Sequence, residues 1–224
     1  MTRNARALTL ATLVSAALAI AGAAFALNLP AFVFVFKPLT TALIVAYAWR
    51  RDGGPPAARR YVLLGLLLSW CGDVALLWPQ QGFLPGLVAF LLAHLAYLLA
   101  FTRVARPAAR LAPFVLYALV AGAILWQLWP GVPPALRLPV VAYVVFLSAM
   151  AAQAAVVWRM SNGNAEARRA RVLALGGALF VASDALLAAN KFHTAIPAAS
   201  LWILTTYWAA QWCIATWLKP REFG

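Results

Sequence analysis

Long apolar runs separated by short polar segments extend from one end of the chain to the other. About 20 apolar residues suffice to cross a hydrocarbon core of about 30 Å as a helix. Eight runs qualify, near residues 7–27, 31–49, 61–78, 83–102, 111–129, 138–158, 171–189 and 196–218. Because lipid offers no partners for unpaired backbone groups, each run predicts a helix and not a strand. The predicted fold is all-α, a polytopic membrane bundle of eight transmembrane helices.

Turn-forming residues lie between several runs and support these boundaries. The clusters are Asn28–Pro30, Gly53–Pro56, Pro79–Gly82, Pro130–Pro134 and Ser161–Asn164. No polar stretch is long enough for a separate soluble module, so residues 1–224 are predicted to form one integral membrane domain.

Two segments of the chain echo each other faintly. Gly72-Asp73 with Leu76 and Leu77 on the third span resembles Ser183-Asp184 with Leu186 and Leu187 on the seventh. Four spans separate the copies, so both point the same way, as in a parallel repeat. This suggests a weak 4+4 duplication, although short matches of this kind also arise by chance.

The composition agrees with a bilayer protein and excludes a soluble one. Apolar residues make up 65% of the chain and charged residues 10%, with a mean hydropathy of +0.85. Soluble domains carry about a quarter charged residues. The formal charge of +13 comes from short arginine clusters between apolar runs, which is typical of membrane loops and not of a nucleic-acid-binding surface. Cys71 and Cys213 fall inside apolar runs and imply no disulfide framework.

The loops alternate between many and few basic residues along the chain, as eight membrane crossings require. One side holds 15 of the 18, namely Arg3, Arg6, Arg50, Arg51, Arg59, Arg60, Arg103, Arg106, Arg110, Arg159, Arg168, Arg169, Arg171, Lys219 and Arg221. The other side holds Arg137 and Lys191, and Lys37 lies within a span. The positive-inside rule then predicts that both termini are cytoplasmic. The alanine- and arginine-rich usage and short loops favour a bacterial inner membrane.

The first span has an alternative interpretation as a cleaved signal peptide. It follows Arg3 and Arg6 and contains small residues, as secretory signals do. The run from Ala7 to Leu27 is longer than a usual signal core, which favours a retained helix. Cleavage would leave seven spans.

Candidate chemistry centres on Asp73 and Asp184, the two acidic residues that fall inside predicted spans. Ionisable groups within spanning helices are costly to insert and usually mark a site inside the bundle. From the helical rise, Asp73, Asp184 and Lys37 lie at a common depth, about 8–10 Å below the outer interface. Such a set provides one acid and one base, the division of labour that hydrolytic sites use. The alternative is a structural Lys–Asp pair with the second aspartate bonded to backbone or hydroxyl groups.

Further polar residues surround this layer. Thr41 follows the Lys37-Pro38 step, at which a helix distortion is expected. His94 and Tyr97 share one helix face, as do Tyr207 and Gln211. His94 lies about 16 Å below Phe83, deeper than the aspartates; for it, a simple interhelical hydrogen bond is an equal alternative.

Other polar groups have weaker claims. Tyr143, Ser148 and Gln153 on the sixth span are interpreted mostly as interhelical hydrogen-bonding residues. Lys191 and His193 at the end of the seventh span either meet a phosphate or extend to the headgroups.

Several mechanisms lack the residues that they need. No His-Glu-x-x-His motif occurs, and two histidines cannot supply a three-histidine zinc site. No Gly-x-Ser-x-Gly elbow supports Ser–His hydrolysis. Trp70-Cys71-Gly72 precedes Asp73, unlike the Gly-x-Gly-Asp of intramembrane aspartyl proteases. No metal or cofactor is predicted.

Taken in order, these residues resemble a known pattern over about residues 30 to 215. The set is Lys37-Pro38, Thr41, Gly72-Asp73, Leu76, Gly86, Phe90, His94, Tyr97, Gly176-Gly177, Phe180, Ser183-Asp184, Lys191-Phe192, Tyr207 and Gln211. It resembles the YhhN family, to which the lysoplasmalogenases belong. Each motif alone is weak, and their order and spacing carry the match.

The resemblance implies a membrane hydrolase that cleaves the vinyl ether bond of lysoplasmalogen, or of a related lysolipid, to a fatty aldehyde and a glycerophospho-alcohol. It implies Asp73 and Asp184 as catalytic residues. Lys37, Thr41, His94, Tyr97, Lys191, Tyr207 and Gln211 become substrate-binding candidates. The implied partners are a lysophospholipid substrate and the lipid bilayer. Neither the headgroup nor an oligomeric state is specified.

Two other functions fit the same residues. A small proton-coupled lipid or solute transporter would use Asp73, Asp184 and Lys37 as a proton relay, and a parallel repeat suits a carrier. A scaffold protein would keep the polar pairs for stability alone.

Overall fold

The structure is a computed structural model, and it describes residues 3–24, 30–51, 55–161 and 165–220. Eight α-helices account for most of these residues. They are α1 (Arg3–Ala24), α2 (Pro30–Trp49), α3 (Pro56–Ala75), α4 (Phe83–Thr102), α5 (Leu111–Leu128), α6 (Pro134–Met160), α7 (Ala165–Phe192) and α8 (Ala199–Trp217). A short 3₁₀ turn, Trp129–Gly131, joins α5 to α6. The all-α fold is confirmed.

Prolines begin three of the described helices, α2, α3 and α6, and proline also lies inside α2 and α6. Pro56 and Pro134 each occupy the first turn, where a missing backbone donor costs nothing. Pro38 lies inside α2, and α2 continues across it instead of breaking. Side chains bond the carbonyl oxygens nearby: Thr40 donates to Phe36 at 2.7 Å and Trp70 donates to Pro38 at 3.1 Å. A hydroxyl group and an indole group thus bond backbone carbonyls beside Pro38.

The predicted turns that the structure describes are present. Pro79–Gly82 forms the turn between α3 and α4, and the 3₁₀ turn overlaps the start of the cluster at Pro130–Pro134. The clusters at Asn28–Pro30, Gly53–Pro56 and Ser161–Asn164 fall largely outside the described residues.

Six of the helices in the described part are long and apolar enough to cross a membrane, namely α1, α2, α4, α5, α6 and α7. They make the chain a multi-pass membrane protein. α3 carries Arg59, Arg60 and Asp73, which lower its mean hydropathy, and α8 carries many threonine and aromatic residues. That α3 and α8 also cross the membrane stays a prediction, because they are not among the six helices that meet both criteria. The 4+4 repeat likewise stays a prediction.

Helix pairs α3–α4 and α7–α8 pack closely because glycine lies at their contacts. A Cβ atom added to Gly65 would lie 2.4 Å from the Tyr97 ring, and one added to Gly72 would lie 2.6 Å from the Phe90 ring. On α7, a Cβ atom at Gly176 would lie 2.8 Å from Cys213 Cβ of α8. Backbones that approach this closely are typical of membrane helices. The result is a tight frame around the polar residues.

Helix α5 differs from the others because it lies at the periphery. Only Pro113 and Leu128 of its residues are buried. Leu119 is 68% exposed and Trp126 is 85% exposed. An apolar exposed face on a membrane protein is the face that contacts lipid. α5 therefore forms an outer wall that packs mainly on α6.

Candidate active site

Asp73 lies near the end of α3 with its side chain only 2% exposed. Its Oδ2 atom accepts hydrogen bonds from Thr41 Oγ1 at 2.6 Å and from the Tyr207 hydroxyl at 2.7 Å. The Lys37 Nζ atom lies 3.9 Å from Oδ1. A carboxylate with an ammonium and two hydroxyl donors has the partners that a buried charge needs.

Two donor chains converge on this carboxylate. Tyr97 donates to Gln211 Oε1 at 2.7 Å, Gln211 Nε2 donates to the Tyr207 hydroxyl at 3.2 Å, and Tyr207 donates to Asp73. In the second chain, Trp208 Nε1 donates to Thr41 at 3.1 Å, and Thr41 donates to Asp73. Hydrogen bonds that point the same way polarise one another. Both chains therefore favour negative charge at Asp73.

Asp184 lies on α7 with its side chain 14% exposed. The Tyr143 hydroxyl donates to Asp184 Oδ2 at 2.6 Å, and His94 Nε2 lies 3.0 Å from the Tyr143 hydroxyl and 3.6 Å from Asp184 Oδ2. When Tyr143 gives its only hydrogen to Asp184, its oxygen is left to accept a hydrogen from His94 Nε2. His94 Nδ1 is buried and has no hydrogen-bond partner among the described residues.

A cavity of about 160 Å³ separates the two carboxyl clusters. Asp73 and Asp184 both line it, together with Lys37, Tyr143 and Tyr207. Most of the other lining residues are apolar, including Leu87, Phe90, Ala121, Ile124, Leu125, Leu147, Val181 and Leu204. Ligand pockets commonly combine apolar walls with a few convergent polar groups. The cavity can therefore hold an apolar chain beside two carboxyl groups.

The structure brings all nine sequence-predicted site residues into this region. Lys37, Asp73, Asp184, Lys191 and Tyr207 line the cavity. Thr41, His94, Tyr97 and Gln211 stand behind it as hydrogen-bonding partners. The catalytic and binding roles of these residues stay predictions. A structural Lys–Asp pair also fits the contacts themselves, and it is the shared cavity that favours a site.

Two residues of the region do more than the sequence analysis expected. His94, counted as deeper than the aspartates, has its Nε2 atom 3.6 Å from Asp184 Oδ2. Tyr143, interpreted as an interhelical hydrogen-bonding residue, does bond α7 and α4 through Asp184 and His94, and it also lines the cavity. In the sequence, only the position of Tyr143 as a polar residue in an apolar helix could have indicated a role at the cavity. Ser148 and Gln153 occupy the same kind of position.

Lys191, at the last turn of α7, is exposed and lines the cavity. Its Nζ atom lies 4.1 Å from the centroid of the Phe83 ring and 6.0 Å from that of Phe192. Such contacts hold a cation over an aromatic face without neutralising it. Lys191 thus marks the mouth of the cavity.

Metal-ligating side chains do not cluster in the described ranges. Within them, no group of three or more His, Cys, Asp or Glu residues lies close enough to hold an ion. The polar side chains that line the cavity carry carboxyl, hydroxyl and amine groups.

The fold and the cavity define a class: a multi-pass helical membrane protein with two carboxyl groups at an apolar internal cavity. The YhhN family profile matches residues 32–218, and the chain belongs to this family.

Curated relatives cover most of the chain. The human protein named "Lysoplasmalogenase TMEM86B" is 34% identical over 184 residues, which span 80% of this chain and 72% of the relative. "Lysoplasmalogenase" of Mycobacterium tuberculosis is 33% identical over 194 residues, spanning 81% of this chain and 67% of the relative. Pig "Lysoplasmalogenase TMEM86B" is 38% identical over 148 residues, which span 65% of this chain and 58% of that protein. No solved structure gives a significant match.

Proposed function

We propose that this protein is a lysoplasmalogenase, a membrane hydrolase that cleaves the vinyl ether bond of a lysoplasmalogen to a fatty aldehyde and a glycerophospho-alcohol. Several relatives carry the name lysoplasmalogenase, which supports the reaction. The observation that carries the proposal is the apolar cavity lined by both Asp73 and Asp184.

Vinyl ether hydrolysis needs one proton donor and one base. Protonation of the alkenyl carbon farther from the oxygen gives an oxocarbenium ion on the carbon that bears the ether. Water adds to that carbon and loses a proton, and the resulting hemiacetal collapses to the aldehyde and the alcohol. A carboxylic acid can deliver the first proton, and a carboxylate can stabilise the cation and accept the proton of the attacking water.

The unequal surroundings of the two carboxyl groups support one division of these roles. Asp73 faces Lys37 and accepts two hydrogen bonds, so its carboxylate form has partners for its charge. Asp184 accepts one bond from Tyr143 and lies beside His94. In the proposal Asp184 protonates the alkenyl carbon, and Asp73 stabilises the cation and activates water.

The substrate follows the shape of the cavity. The apolar walls hold the alkenyl chain, and Tyr207 offers a polar contact beside the reacting carbons. His94, Tyr97 and Gln211 act through hydrogen bonds to the side chains that face the cavity. Lys37 is occupied by Asp73, which leaves Lys191 at the mouth for the phosphate.

We further propose that the protein lies in the bacterial inner membrane with both termini in the cytoplasm. The clustering of 15 basic residues on one predicted side supports this orientation. The terminal residues 1–2 and 221–224 lie outside the described residues. The cavity mouth at Lys191 would then face the outer leaflet.

The decisive experiment uses purified protein in detergent micelles, a synthetic lysoplasmalogen and D₂O as solvent. We expect the aldehyde to carry one deuterium on the carbon next to its carbonyl group, because that carbon receives the proton. Asp73→Asn and Asp184→Asn should each lower kcat by about 10²–10⁴-fold, the usual contribution of a positioned acid or base.

Other outcomes would reject the proposal. Variants that insert normally and keep near wild-type aldehyde release would exclude the two-carboxylate mechanism. A transporter would consume no lysoplasmalogen in micelles, where no gradient exists. Release of fatty acid from an ester lysolipid, with the vinyl ether untouched, would point to a different bond.

A further inference from the structure

Two basic residues stand apart from the arginine-rich side of the molecule. Arg137 lies in the second turn of α6, and Lys191 lies in the last turn of α7. Within the described ranges, the ion pairs of the structure involve neither of them. Two cations therefore lie at one end of the bundle, and no carboxylate of the described residues forms an ion pair with either.

The Arg137 side chain is held in place, but one of its hydrogen-bond donors has no partner. Its guanidinium lies 5.0 Å from the centroid of the Trp129 ring. Its Nε atom is buried and has no hydrogen-bond partner. Stacking on an aromatic face orients a guanidinium without using its hydrogen-bond donors. A buried donor that lacks a partner is costly, and such a group calls for a ligand or another explanation.

Contacts between the helix ends bring Arg137 near Lys191. The 3₁₀ turn that contains Trp129 packs directly on the end of α7, since a Cβ atom added to Gly131 would lie 1.7 Å from the Phe192 carbonyl oxygen. Leu128 and Val132, on either side of this turn, line the cavity, as do Lys191 and Phe192. The stacked Arg137–Trp129 pair thus belongs to the same rim as Lys191.

The position of Arg137 on its own helix points the same way. Val144 and Ser148 follow it by 7 and 11 residues, so they share its helix face. Both line the cavity. Long helical side chains extend toward the N-terminus of their helix, which for Arg137 is the rim. Arg137 thus continues the cavity-facing side of α6 outward to the mouth.

We propose that Arg137 and Lys191 form a two-cation site for a phosphate anion at the cavity mouth. The planar guanidinium suits two oxygens of one phosphate, and the ammonium adds a point charge. Asp184 precedes Lys191 by seven residues, about 10 Å of helix. The glycerol of a lysolipid links a phosphate at the rim to a reacting bond beside Asp184. The identity of the anion as the lysolipid headgroup rests on the proposed function, whereas the site itself does not.

The test measures binding without turnover, in maltoside micelles that contain no phosphate. The probes are a radiolabelled 1-O-hexadecyl lysophospholipid, which has a saturated ether and cannot be hydrolysed by this chemistry, and 1-O-hexadecylglycerol, which lacks the phosphate. We expect Arg137→Gln and Lys191→Gln each to weaken binding of the phosphate-bearing probe about tenfold or more, the usual range for a charge-assisted hydrogen bond. Binding of hexadecylglycerol should not change.

Three controls make the result specific. Arg110→Gln removes an exposed arginine from the opposite, arginine-rich side and should bind both probes as the wild type does. Arg137→Lys keeps the charge but loses the planar fork, so it should recover part of the affinity. Because hexadecylglycerol is measured on the same samples, its unchanged binding shows that each variant is folded.

Each alternative outcome overturns the site as proposed. Equal loss for both probes would make Arg137 a packing residue, and no loss for either would remove it from binding altogether. If millimolar inorganic phosphate displaces the lipid probe while the lipid tail adds no affinity, the site serves free phosphate. A wild type that releases no aldehyde, yet binds the probe in an Arg137-dependent manner, would reject the proposed hydrolase and retain the anion site.

Discussion

The two aspartates share one cavity but have different neighbours. Asp73 is the end point of two hydrogen-bond chains and has a lysine at 3.9 Å, whereas Asp184 has one chain through Tyr143. Side-chain exposure also differs, 2% against 14%. The more buried carboxyl group is thus the one with more donors, which a charge needs where water is excluded.

Tyr143 provides a test at the scale of one hydroxyl group. In Tyr143→Phe the ring stays and the donor to Asp184 is lost. In the proposed mechanism Asp184 becomes a carboxylate as it gives up its proton, and a hydrogen bond to an ionised group contributes about 1.5–3 kcal/mol. The kcat for aldehyde release should therefore fall about tenfold or more, with little change in KM. Tyr117→Phe on α5, remote from the carboxyl groups, is the matched control. Unchanged kcat in Tyr143→Phe would remove Tyr143 from the mechanism.

Sequence reasoning found the polar residues of the site but not all of their partners. Asp73 and Asp184 were identifiable because charge inside an apolar run is rare. Tyr143 and Gln153 both lie on α6 as isolated polar groups, yet Tyr143 reaches Asp184 while Gln153 bonds the backbone at Ala105 beyond α4. The neighbour that a side chain contacts depends on how each packed helix is rotated about its own axis. The hydropathy pattern of a single sequence does not determine that rotation.

At the scale of helices, the apolar runs predicted where each helix lies better than where it ends. The run at 61–78 became a helix over Pro56–Ala75, because Leu76 and Leu77 are apolar but form a turn. The run at 171–189 became a helix over Ala165–Phe192. Helices continue past the hydrocarbon into polar residues, since arginine at a helix end can extend toward the headgroups. Hydropathy therefore indicates the part of a helix that lies in the membrane, and not the full length of the hydrogen-bonded helix.

Contact between α3 and α4 depends on Gly72, next to Asp73. In Gly72→Ala the new methyl group would overlap the Phe90 ring, whose other contacts include Tyr207. Overpacking of this kind costs about 1–3 kcal/mol, so the melting temperature in detergent should fall and aldehyde release should decrease. Gly122→Ala is the control, since nothing lies within 4 Å of its added Cβ atom, and it should not lower the melting temperature. Equal behaviour of the two variants would contradict the importance of this contact.

At the scale of the whole molecule, the two carboxyl clusters have related layouts. Asp73 on α3 is served by a hydroxyl from α2 and a ring from α8, whereas Asp184 on α7 is served by a hydroxyl from α6 and a ring from α4. The helices of the two clusters correspond in pairs that are four apart in chain order: α3 with α7, α2 with α6, and α4 with α8. A parallel duplication would produce this layout, and the 4+4 repeat remains a prediction that it motivates.

The number of crossings can be tested by cysteine labelling in intact cells. With the native cysteines replaced, an impermeant maleimide should label Gln81→Cys and Thr194→Cys directly, because both lie in loops predicted to be outside. Arg106→Cys and Pro220→Cys should react only after permeabilisation. If α8 does not cross, Pro220→Cys will label together with Thr194→Cys, and the eight-span topology is wrong. Labelling of all four variants after permeabilisation is the control.

The bilayer around this protein consists of two-chain phospholipids, which carry the same kind of headgroup as the proposed substrate and vastly outnumber it. If the protein recognised the headgroup alone, the two-chain phospholipids of the bilayer would fill its binding site. The cavity walls offer a remedy, because a second acyl chain on the glycerol would need additional room among apolar side chains such as Leu87 of α4 and Leu125 of α5. Selection by shape would then let the protein work while immersed in molecules that compete for its rim but cannot enter.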